Sequence, residues 1–200
     1  PQVIIGAPIC LLMLRTKEPE KTAWGKLGAG HYVLFIIMSV SVMYIGNIIG
    51  TLITSIFGAR NVLQNIVTNS NIWATLLFAV ILAPIVEELI FRKMIIGRLR
   101  KYGDKIAILV SALLFALMHG NLSQFFYAFG LGILFGYVYS RTGKLRYSIG
   151  LHMIVNFLGS FVGSLIMRLI NGLDMDMLSK LSSMDEAMSE NAADTLGRLM

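Results

Sequence analysis

The chain has 200 residues, of which 56% are apolar and only 14% charged. A globular chain carries about 25% charged residues, so this composition, with a mean hydropathy of +0.73, argues against a water-soluble fold and equally against disorder. The single Cys10 excludes an intramolecular disulfide framework, and the net charge of +6 in so apolar a chain reads as membrane orientation rather than nucleic-acid binding.

A bilayer-spanning helix needs about 20 apolar residues. Residues 1–14 read as the last part of one span, and a start at Pro1 suggests an N-terminal truncation. Five full spans follow: 31–57, a second from 72 through Phe91, then 105–119, 123–140 and 146–170. The predicted fold is therefore an all-α, polytopic membrane helix bundle, a fragment of a larger one. Residues 1–173 form its core and 174–200 a polar acidic tail, amphipathic helix or loop. Neither a basic start nor a cleavage site marks a secretory signal.

The loops carry the orientation. Residues 15–26 are net +2, 92–105 net +5 and 141–146 net +3. The alternate segments 58–71 and 120–122 hold only Arg60 between them, and the tail has six acids against two bases. All basic loops fall on one side of a five-span arrangement, which the positive-inside rule makes cytoplasmic.

Eleven acids are present, and only Glu87 and Glu88 stand inside apolar sequence. An ionisable group within a span costs several kcal/mol and defaults to a functional hypothesis. Pro84, three residues earlier, lacks an N–H and in an α-helix would free the carbonyl of Val80. Arg92 follows Glu88 by four residues, the favourable order for a structural ion pair. Glu87 points about 100° away and has no local partner, which makes it the better candidate for a general base.

His119 ends the third span. Glu87 lies 16 residues before Gly103 and His119 16 after it, so a hairpin around Gly103 sets both at one depth. His152 and Asn156 share a face of the fifth span roughly 13–20 Å up from Gly143, and Glu87 and His119 lie roughly 13 Å deep. The four polar groups would share one cavity. Taken singly, each has a plainer reading: a helix–helix hydrogen bond for His119 or His152, interhelical glue for Asn156, core packing for Phe115, and a proton relay or ion site for the Glu pair. His31 has no such company and reads as interfacial. Gly159/Gly163, Ser160/Ser164 and Gly132/Gly136 offer small-residue spacing for close helix approach.

Glu87-Glu88-Leu-Ile-Phe-Arg92, Phe115-Ala-Leu-Met-His119 and His152-Met-Ile-Val-Asn156 resemble the EExxxR, FxxxH and HxxxN motifs of the CPBP intramembrane proteases. That family includes type II CAAX prenyl endopeptidases and bacteriocin-processing and self-immunity proteins. The resemblance covers about residues 70–170 and implies hydrolysis of a membrane-associated peptide or protein. By that resemblance Glu87 and His119 hold and activate water, His152 and Asn156 bind the oxyanion, and Glu88, Arg92 and Phe115 support them. No cofactor is required on this reading. The alternative is zinc on Glu87, His119 and His152, an open His₂Glu set without HExxH. The rival functions are a non-proteolytic immunity or scaffold protein and a proton- or ion-coupled transporter. The expected partners are substrate and lipid, not nucleic acid. The expected location is a prokaryotic cell membrane.

Overall fold

The computed structural model describes residues 25–57 and 71–199, with side chains placed through 185. The partial span expected at 1–14 and the segment around Arg60 lie outside the described residues. What is described is all-helical. Helix α1 is Ala29–Ile56. Helix α2 runs Ile72–Tyr102. Helix α3 is Asp104–Met118 and α4 is Leu122–Thr142. Helix α5 joins Leu145–Asn156, Phe157–Val162 and Gly163–Leu199 end to end. Helices α1, α2, α4 and α5 are long and apolar enough to cross a bilayer. The third expected span, α3, has 15 residues. Its length of roughly 22 Å falls short of a hydrocarbon layer of about 30 Å.

The caps follow from the sequence. The Asn71 carboxamide accepts from the backbone N–H of Trp73 and Ala74 at the start of α2, and Asn121 does the same for Ser123 at the start of α4. Gly103 turns the chain between α2 and α3 at φ 103°, and Gly143 closes α4 at φ 68°, both left-handed positions suited to glycine. The basic stretch expected as a loop at 92–105 is instead helical as far as Tyr102. Nothing between Phe91 and Gly103 breaks a helix, and cations are favoured at a helix C-terminus.

Helix α2 does not break at Pro84. It widens into π geometry on both sides, over Thr75–Leu82 and Leu89–Ile96, with the α-helical turns Ala83–Glu88 between them. Helix α5 has a third π segment directly after Asn156, Phe157–Val162. π segments often stand at functional sites, where an inserted residue re-aims its neighbours.

Two features hold the bundle around this region. Phe35 and Met43 of α1, Leu131, Leu134, Phe135 and Val138 of α4, and Leu151 and Val155 of α5 form the main apolar cluster. Glycines then set the closest helix crossings. Gly46 and Gly50 of α1 lie against the backbone of Tyr127 and Ser123 in α4 so tightly that a Cβ at either would collide with it. Gly132 of α4 abuts Ala112 of α3 in the same way, as its spacing predicts. Gly163, by contrast, has only its own helix's Leu158 carbonyl nearby. The outward apolar side chains of α1, such as Ile45, Ile48 and Leu52, stay exposed, as a lipid-facing surface requires.

Candidate active site

The four-residue spacing of α-helices builds the site from three stripes: Pro84, Glu88 and Arg92 on α2, Ser111, Phe115 and His119 on α3, and Ser148, His152 and Asn156 on α5. Where the stripes meet, a chain of polar contacts runs through apolar surroundings. Arg92 Nε lies 3.1 Å from Glu88 Oε2, with both side chains fully buried. The angle misses hydrogen-bond geometry, so this contact is an ion pair held by charge. The other Glu88 oxygen, Oε1, lies 3.1 Å from His152 Nδ1. His152 Nε2 faces Glu87 Oε2 at 3.7 Å. Glu88 is sealed at 0% exposure, whereas Glu87 keeps 12%. Of the two carboxylates, only Glu87 keeps any exposed surface.

Aromatic rings enclose this chain. The Arg92 guanidinium stands over Phe115 at 4.9 Å and near Phe135 at 5.8 Å. His152 meets the same two rings at 5.5 and 5.3 Å. Phe115 also carries His119 edge-on at 4.9 Å. Phe115 is thus the platform beneath one cation and both site histidines. His119 Nδ1 lies 2.8 Å from the Phe115 carbonyl. A carbonyl only accepts, so Nδ1 carries the hydrogen and a neutral His119 presents its lone pair at Nε2. His119 and Glu87 lie within electrostatic reach of each other.

Sequence reasoning missed three supports. Ser111 is fully buried, donates to the Phe91 carbonyl at 2.8 Å and accepts from Arg92 Nη1 at 3.4 Å. Ser148 is buried one turn before His152 and donates to the Leu145 carbonyl at 3.1 Å. Phe135 completes the sandwich. The serines carry a findable signal, since each stands one turn from a motif residue on the same stripe. Phe135 is brought in by helix packing alone.

The Asn156 amide Nδ2 donates to the Ala79 carbonyl at 2.9 Å. This corrects the expectation that Pro84 frees Val80. In the π segment the acceptor pairs with the N–H five residues on, as Phe78 does with Ala83. The next pair in that register is Ala79 with Pro84, which has no N–H to give.

For zinc, Glu87 Oε2 and His152 Nε2 are spaced as two ligands of one ion could be. Among the described residues, however, no three His, Cys, Asp or Glu side chains are grouped to hold a metal.

Residues 69–158 match the family described as type II CAAX prenyl endopeptidase, Rce1-like, a stretch that includes all seven motif residues. Over these residues the chain carries the sequence pattern of this family. The chain is 32% identical over 158 residues to the membrane-embedded CAAX protease MroQ of Staphylococcus aureus, covering 72% of this chain and 60% of that protein. It is 28% identical over 155 residues to the putative membrane peptidase YdiL of Bacillus subtilis, covering 74% and 64%. It is also 35% identical over 80 residues to the UPF0177 protein YxdF of Lactococcus lactis, covering 40% and 44%. This Rce1-like chain thus spans less than two thirds of the length of these relatives. No solved structure matches it. Its apolar helices and its bacterial membrane relatives make it an integral membrane protein.

Proposed function

We propose that this Rce1-like chain is the core of an intramembrane endopeptidase acting on a membrane-associated peptide or protein. The observation that carries the reading is the convergence of three helices on one polar point: Glu87 beside His152 at 3.7 Å, with His119 and His152 both packed on the Phe115 ring.

The reaction follows from these side chains. Glu87 accepts a proton from water while the His119 Nε2 lone pair accepts the water's other hydrogen. The oxygen adds to the scissile carbonyl carbon. The resulting oxyanion accepts N–H donation from His152 Nε2 and Asn156 Nδ2. On this reading His152 carries a hydrogen at both nitrogens from the start and takes no proton from the reaction, with its Nδ1 side held against the Glu88 carboxylate. The C–N bond breaks as Glu87 returns its proton to the leaving nitrogen, giving a carboxylic acid and an amine. Donors fixed in place before charge develops, in a site short of bulk water, supply the largest catalytic contribution. Glu88, Arg92 and Phe115 act through His152. The basic ends of α2 and α4 face the cytoplasm on this reading, so the site opens from that side.

The test is mass spectrometry of products from a membrane-peptide library incubated with the purified protein in liposomes, with and without chelator. Internal cleavage at a restricted set of bonds is expected, unchanged by chelator. No cleaved product under either condition would overturn the reading.

A second expectation concerns how α1 sets the position of α5. Gly150 stands two residues before His152, and a Cβ there would collide with the Tyr32 hydroxyl. The next atom, Tyr32 Cζ, is 3.6 Å away, an ordinary contact. Gly150→Ala should push α5 outward and cost up to about a hundredfold in kcat, as small misplacements of reacting groups do. Adding Tyr32→Phe removes the clashing oxygen and should restore most of the rate. Steady-state cleavage assays of the single and double variants check this. A double variant as slow as the single one would contradict it.

A further inference from the structure

We propose that Pro84 is a positioning residue for the oxyanion donor Asn156, acting through the carbonyl of Ala79. The proposal rests on the peptidase reading above. A proline inside a helix removes a backbone donor, and in lipid the orphaned carbonyl must find another. The usual expectation is that such a proline is tolerated once its damage is repaired. Here the repair is made by a side chain of the candidate site itself. Pro84 is fully buried, four residues before Glu88 on the same stripe. The π register of Thr75–Leu82 assigns the missing donor to Ala79, and Asn156 Nδ2 supplies it at 2.9 Å.

An asparagine amide nitrogen has two hydrogens. One is spent on Ala79, which fixes the plane of the carboxamide. The other is left for the substrate on the face that Asn156 shares with His152. An exposed asparagine would rotate freely and lose this preorganisation. The backbone of α2 therefore aims a donor on α5, while the same helix, a few residues later, provides the base Glu87. Base and oxyanion donor are thereby tied to one another through Pro84 rather than placed by separate elements. The widened π geometry just before Ala83 and just after Asn156 accommodates the link at both ends.

Pro84→Ala supplies an N–H that competes for the Ala79 carbonyl and releases Asn156. Removing a proline from a helix interior does not weaken the helix. The variant should therefore lose kcat by about tenfold, the low end of what removing a support behind a reacting group costs. KM should stay unchanged, and the unfolding temperature should be unchanged or raised. Pro84→Val, which also carries an N–H, should behave alike. Asn156→Ala should lose on the order of a hundredfold in kcat. The double variant Pro84→Ala/Asn156→Ala should be no slower than Asn156→Ala alone. Full kcat in both Pro84 variants overturns the proposal, as does a loss accompanied by a lower unfolding temperature, or losses that multiply in the double variant. An Asn156→Ala protein with unchanged kcat overturns the oxyanion reading itself, and this proposal with it. Loss in Asn156→Ala with full activity in the Pro84 variants overturns this proposal alone.

Discussion

Glu87→Gln should abolish peptide cleavage while leaving the protein folded. The substitution keeps the shape of the side chain and its place 3.7 Å from His152, but takes away the basic oxygen. General acid–base catalysis contributes roughly 10²- to 10⁴-fold, and in the proposed mechanism Glu87 serves twice, first accepting the water's proton and then delivering it to the leaving amine. A fall in kcat towards the upper end of that range is expected, with little change in substrate affinity. Glu87 is partly open and has no ion-pair partner of its own on α2, so the unfolding temperature should move little. Single-turnover cleavage measured beside thermal unfolding in the same detergent checks both halves. Undiminished cleavage would remove Glu87 from the reaction and return the Glu pair to the status of an ion or proton site.

The neighbouring carboxylate should respond in the opposite way. Arg92→Ala leaves Glu88 fully buried without its cation. Breaking a buried pair from one side typically costs about 3–5 kcal/mol, a large part of a total stability of about 5–15 kcal/mol. The loss extends to packing, because the guanidinium fills the space between Phe115 and Phe135. Arg92→Ala should therefore unfold well below the parent temperature. The paired replacement Glu88→Gln with Arg92→Met removes both charges while keeping similar volume, and should recover much of that stability. It should not recover activity, since a neutral carboxamide in place of the Glu88 carboxylate cannot balance a doubly protonated His152. Thermal unfolding and cleavage rates of the two proteins separate these effects. An Arg92→Ala protein as stable as the parent would show that the pair is not what holds Glu88 in place.

The different fates of two adjacent glutamates are legible in the sequence, because they depend only on helical spacing. Arg92 lies one turn from Glu88 and not from Glu87, and the structure makes that pair. The motif residues Phe115, His119, His152 and Asn156 are likewise visible as residues too polar, or too regularly placed, for a lipid-facing helix. What sequence does not supply is register. Reading α2 as an α-helix assigns the orphaned carbonyl to Val80, and the π geometry moves it to Ala79. Hydrophobic periodicity over eight mostly apolar residues carries no mark of that wider turn. The double engagement of His152, with Glu88 at one nitrogen and Glu87 facing the other, depends on how α5 packs on α2. Phe135 belongs to the same class, since nothing local distinguishes it from any other aromatic residue on α4. The basic ends are legible as charge but not as shape. Lysine and arginine suit a helix terminus as well as a loop, and only Gly103 turns the chain.

The brevity of α3 has a consequence for the membrane itself. The fifteen-residue helix Asp104–Met118 ends at His119. Hydrophobic mismatch of several ångströms costs fractions of a kcal/mol per ångström and is relieved when the bilayer thins around the short element. Thinning would draw the headgroup region down towards the polar turn His119–Gly120–Asn121. Water would then have a second, shorter path towards Glu87, from the face opposite the basic helix ends. A deficit of a few residues in one span makes bilayer thickness a determinant of how readily water reaches the site from that face.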